Sequence, residues 1–123
     1  MIDAVEDARQ RRARIDKPRC MVEQLRDDRL ISIREFDVGM FLRATNDKLM
    51  RRRDIRAEAV LQLMRDELNK IERGTWAMVR EVCIENEPLR TVDGTKRFRE
   101  ALQAVALKVD VLMAHFAGAD GVA

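Results

Sequence analysis

Apolar residues along this chain recur mainly at spacings of three and four, the mark of helices that turn one face inward. The longest stripe, Phe98, Leu102, Val105, Val109, Leu112 and Phe116, predicts a long last helix capped at Thr95 and ended by Gly118. Before it, Trp76, Val79, Val82 and Cys83 predict a short helix opened by Thr75. That helix must stop ahead of Pro88, because the residue before a proline is pushed out of the helical region. The two segments therefore flank a break, Glu87-Pro88-Leu89-Arg90-Thr91-Val92-Asp93-Gly94.

Further upstream, Ala57, Val60, Leu61, Met64, Leu68 and Ile71 predict a helix started by Asp54 and closed by Gly74. Ser32-Ile33-Arg34-Glu35 has the form of a capping box. The helix it opens is expected to bury Ile33, Phe36, Met40, Phe41 and Ala44, with Gly39 a point of close packing. A short helix from Met21 to Leu30 should turn Met21, Val22 and Leu25 inward. The pattern does not decide whether the helices on either side of Arg51-Arg52-Arg53 are continuous.

These elements predict an all-α fold: a compact bundle of about five helices with a helix-turn-helix-like carboxyl-terminal half. Residues 1–19 carry too little apolar surface to dock firmly and are expected to form a flexible arm with a basic centre, Arg9, Arg11, Arg12 and Arg14. Residues 20–118 form the single helical domain, and 119–123 a loose tail. The scarcity of Pro (2) and Gly (5) agrees with helix almost throughout.

Charge changes the picture only locally. Twenty-four basic residues nearly cancel twenty-two acidic ones, leaving +2, so any nucleic-acid affinity needs cations gathered on one face. Two groups qualify. Lys48, Arg51, Arg52, Arg53 and Arg56 place five positive charges within nine residues, a density suited to phosphate contact and counterion release. Lys96, Arg97, Arg99 and Gln103 crowd the first turns of the last helix, where Arg and Gln are the types that read guanine and adenine edges. Each group equally fits a solvated helical face. The last stripe fits an intramolecular core or a homodimer seam.

Catalytic chemistry finds no footing. His115 is the only histidine and sits one residue before an apolar anchor near a helix carboxyl terminus, where a structural role rather than that of a general base is expected. Ser32 is the only serine and is expected to cap a helix. Metal-ligand spacing and a glycine-rich phosphate loop are both lacking, so no catalytic residue, metal or cofactor is expected. Cys20 and Cys83 lie among apolar residues and are expected to be reduced, packed thiols of a cytoplasmic protein. No apolar run approaches the roughly 20 residues needed to span a bilayer, so no membrane association is expected.

The run Ile31-Ser32-Ile33-Arg34-Glu35-Phe36-Asp37-Val38-Gly39-Met40-Phe41-Leu42-Arg43 resembles the start of a helical domain of unknown function found in alphaproteobacteria and their phage-like elements. Val38 stands where that family usually has Ala. The layout from Trp76 through Cys83, then Ala101-Leu102 and Leu112 to Phe116, is similar to the same family, whose carboxyl-terminal half looks like the promoter-reading region of sigma factors. Some of its members belong to activators of gene transfer agents. The resemblance, over roughly residues 30–118, implies a DNA-binding, transcription-associated role.

Three functions are thus expected in order. The first is a small phage- or mobile-element-type regulator that binds DNA through the amino end of the 95–117 helix, with Lys48–Arg56 on flanking phosphates. The second is a protein-interaction module without nucleic-acid affinity, such as a phage-encoded inhibitor or an RNA polymerase-binding adaptor. Seven methionines would suit its adaptable apolar surface. The third is a DNA-packaging recognition subunit of the small-terminase kind.

Overall fold

The computed structural model describes residues 20–122, with side chains described as far as His115. Residues 1–19, with the expected basic centre Arg9, Arg11, Arg12 and Arg14, and the Phe116 side chain lie outside the described residues. Five helices form in order: α1 (Met21–Asp27), α2 (Ile33–Arg52), α3 (Ile55–Ile71), α4 (Thr75–Cys83) and α5 (Val92–Val122). No strand occurs among the described residues. Helix α2 packs against all four others and organises the bundle.

One core joins the elements. Phe98, Ala101, Leu102, Val105, Ala106 and Val109 of α5 meet Val38 and Leu42 of α2, Val60, Met64 and Leu68 of α3, Val79, Val82 and Cys83 of α4, and Val22 and Leu25 of α1. Each side chain of Leu or Phe size sealed in this way contributes roughly 1.5–3 kcal/mol of apolar transfer. As far as side chains are described, the stripes expected on α3, α4 and α5 are those buried, apart from Ile71, which is exposed, and Trp76 and Leu112, which are half-buried.

Helix α2 departs from expectation. Its buried residues are Glu35, Val38, Gly39, Leu42 and Thr45, whereas Ile33 is 74% exposed and Ala44 is exposed. Phe36, Met40 and Phe41 only flank the core. At about 100° per residue, the inward face is turned roughly half a revolution from the one the largest apolar side chains suggested. A helix surrounded by four neighbours needs small residues inward. Gly39 shows why: a Cβ there would lie 2.9 Å from Val22 Cγ1.

The helix ends follow local chemistry. Ser32 and Glu35 form the expected capping box, and Asp54 caps α3 by accepting from the Arg56 amide at 2.9 Å. Arg53 adopts φ +48° and separates α2 from α3, so the arginine run interrupts rather than continues the helix. Other ends differ from the reading of the sequence: α1 stops at Asp27 rather than Leu30, and Glu72 rather than Gly74 caps the end of α3. Thr75 is the first residue of α4 rather than its cap, and its hydroxyl donates to the Glu72 carbonyl; Asn69 Oδ1 instead accepts from the Trp76 amide. Thr91, not Thr95, caps α5 by accepting from the Gly94 amide at 2.9 Å. Gly118 does not end α5, which runs on to Val122; an internal glycine costs only about 1 kcal/mol among good helix formers such as its alanine neighbours. Residues 84–91 connect α4 to α5 without an intervening helix.

Candidate nucleic-acid interface

Helix α2 separates the two basic groups. Glu35 lies in its first turn, against α5, while Arg51 and Arg52 are its last residues, roughly 25 Å along the axis at 1.5 Å per residue. Each group therefore has its own surroundings.

At the far end of α2, Lys48, Arg51 and Arg52 share one helical face by their three- and four-residue spacing. Arg53 follows in the left-handed turn and Arg56 in the first turn of α3. All five are exposed, and among the described residues none forms an ion pair. The α2 dipole favours Arg51 and Arg52 at its carboxyl terminus but gives nothing to Arg56, which faces the positive end of α3. Asp54 is spent as the α3 cap.

At the amino end of α5 the expected reading set is divided. Arg97 pairs with Asp93 at 3.1 Å along its own helix. Arg99 Nε donates to Glu35 Oε1 at 2.9 Å and Oε2 at 3.3 Å, and Gln103 Nε2 donates to Oε2 of the same carboxylate. Glu35 is 2% exposed and also accepts from the Ser32 amide at 2.8 Å. Burial pulls its pKa up, but the bonds from Gln103, Ser32 and Arg99 outweigh that and hold it below the usual carboxylate range. Gln103 commits one of its two amide hydrogens to Glu35, which turns its side chain towards the first turn of α2. Among the described residues, both terminal nitrogens of Arg99 are unengaged. Because α5 begins at Val92, Lys96 and Arg97 stand in its second turn, beyond most of the unfavourable dipole field expected for a start at Thr95.

Arg29 was missed in the sequence. It lines the same concave surface as Lys96, Arg99 and Gln103. The signal was faint: an arginine one position beyond the charged run Asp27-Asp28, where a helix was expected to continue to Leu30.

A third surface is apolar. Leu63 of α3 with Leu107, Val111 and Leu112 of α5 form an open groove of about 330 Å³, edged by Lys108. Leu107 is 74% and Val111 69% exposed. Lys108 is itself turned to Glu67 at 2.6 Å. Met64 is fully buried and Met78 half-buried, so the methionines do not supply this surface.

No family model matches the chain, and no curated protein or solved structure matches it. Among the described residues no helix is long and apolar enough to cross a membrane, and no group of three or more potential ligands could hold a metal ion.

Proposed function

We propose that the protein is a small DNA-associated regulator that grips the phosphate backbone through the α2–α3 junction. The observation carrying this reading is the set of five exposed cations, Lys48, Arg51, Arg52, Arg53 and Arg56, without acidic partners among the described residues. Two of them stand where local physics disfavours them. Arg53 occupies a left-handed conformation that costs a non-glycine residue about 1 kcal/mol, and Arg56 opposes the α3 dipole. A polyanion alongside offsets both costs. Contact of this kind is dominated by phosphates and tolerant of sequence.

The test is fluorescence anisotropy with a labelled duplex across a salt series. Each phosphate neutralised contributes about −0.9 to the slope of log K against log salt, so replacing Arg51, Arg52 and Arg56 together by Ala should flatten it by roughly 2–3. Unchanged affinity and slope in that variant would defeat the reading.

The apolar groove favours a second reading, a protein-interaction module that receives an amphipathic helix of a partner such as an RNA polymerase subunit. Absence of any duplex binding by the wild-type protein at low salt (about 50 mM) would put this reading first.

A further inference from the structure

We infer that the cleft between the α1–α2 turn and the first turns of α5 is a second, separate phosphate-binding site, with Arg29, Lys96 and the terminal nitrogens of Arg99 as its donors. It does not depend on the α2–α3 junction. The cleft has a volume of about 480 Å³ and is also lined by Thr95, Glu100 and Gln103.

The placement of Arg29 is the first support. Helix α1 ends with Leu30 N–H donating to the Leu25 carbonyl at 2.9 Å and Arg29 N–H to the Arg26 carbonyl at 3.0 Å. This is the Schellman pattern, whose left-handed position ordinarily carries glycine. Here it carries Arg29 at φ +60°, at a cost of about 1 kcal/mol for the Cβ. The side chain so placed is exposed, has no ion pair among the described residues, and lines the cleft.

Arg99 supplies the second. Glu35, almost wholly buried, holds the Arg99 Nε while Gln103 holds Glu35 from the other side. That grip fixes the guanidinium plane and leaves its two outer nitrogens, in a side chain 45% exposed, for an incoming acceptor. A guanidinium oriented in advance loses less entropy per bond to a phosphate than a free one. Glu35 is thus the positioning residue of the site. Lys96 adds a point charge three residues before Arg99 on the same helical face. The Arg99–Glu35 pair is internally neutral, so Arg29 and Lys96 supply the net positive charge, and the exposed Glu100 subtracts from it.

The shared ligand chemistry is a phosphate group, whether of a free polyphosphate or of a nucleic-acid backbone. Titration of the ¹⁵N-labelled full chain with pyrophosphate, and separately with a short duplex, distinguishes the sources. Pyrophosphate should shift the amides of Arg29, Leu30 and Thr95–Arg99 together with the Arg99 Nε–H signal. Arg29→Ala with Lys96→Ala, both exposed and harmless to folding, should weaken it at least about tenfold, and Glu100→Gln should tighten it about two- to threefold. Glu35→Gln should abolish the ligand-induced shift of the Arg99 Nε–H signal. A duplex that moves these amides while pyrophosphate does not assigns the site to backbone phosphate; the reverse assigns it to a free polyphosphate. Neither probe moving them, or the double variant binding as wild type, overturns the inference. Arg51→Ala/Arg52→Ala/Arg56→Ala leaves pyrophosphate binding here unchanged, so failure of the junction and failure of the cleft are read separately.

Discussion

Arg99 and Glu35, 64 residues apart in the chain, are joined by a 2.9 Å ion-paired hydrogen bond that ties the start of α2 to the second turn of α5. One partner is sealed from water and the other half-exposed. Replacing Arg99 by Ala leaves a buried carboxylate with only Ser32 and Gln103 to satisfy it. Breaking a fully buried pair costs about 3–5 kcal/mol, and the exposure of Arg99 brings the expectation to about 2–3 kcal/mol, measured by urea unfolding.

The same pair sets an acid limit. The folded pKa of Glu35 lies below its unfolded value, so its stabilisation is complete above about pH 4.5 and is lost as pH falls through the lower folded pKa. Glu35→Gln should therefore be less stable than wild type near neutrality, with the difference narrowing in acid. A constant gap from pH 7 to pH 3 would contradict it.

Both thiols should be inert in the folded protein. Burial pushes the Cys83 thiol up to about 12, with Cys20 nearby adding to the rise, and burial raises Cys20 as well. Ellman's reagent at pH 8 should label neither cysteine until denaturant is added, and then both.

Gly39→Ala should destabilise the bundle although alanine is the better helix former. The added methyl meets Val22 Cγ1 at 2.9 Å, within a fully buried, β-branched side chain. Overpacking of about 1–3 kcal/mol exceeds the roughly 1 kcal/mol gained in helix propensity. Thermal unfolding of this variant paired with Val22→Ala, which makes room, should show partial compensation.

Arg53→Gly separates strain from charge. Relief of the left-handed conformation at φ +48° should stabilise the protein by about 0.5–1 kcal/mol, while loss of one phosphate contact flattens the salt dependence of duplex binding by about 0.9. Higher melting temperature with weaker binding is the expected signature. Higher stability with undiminished binding would remove Arg53 from the interface.

The patterns of α3, α4 and α5 were legible because these helices bury one stripe of ordinary apolar residues, and a stripe such as Phe98–Leu102–Val105–Val109 admits one inward orientation. The capping box at Ser32 and the cap at Asp54 were legible because such bonds join residues two or three apart. Helix α2 was not. Its inward face is chosen by four neighbouring helices and by a buried carboxylate whose partners come from α5. The candidate interface divides in the same way. The Lys48–Arg56 cluster stands out by local density alone, whereas nothing local tells that Arg99 and Gln103 bond to Glu35, or that Arg29 lines one cleft with Lys96.

By itself, then, the sequence determined the helical class, most of the core and the caps at Ser32 and Asp54, since these rest on periodicity and on bonds between near neighbours. Only the tertiary structure decided which charges are cancelled and which remain available. That division depends on side chains tens of residues apart meeting across helix faces, where burial makes each pairing strong and solvent leaves the rest unpaired.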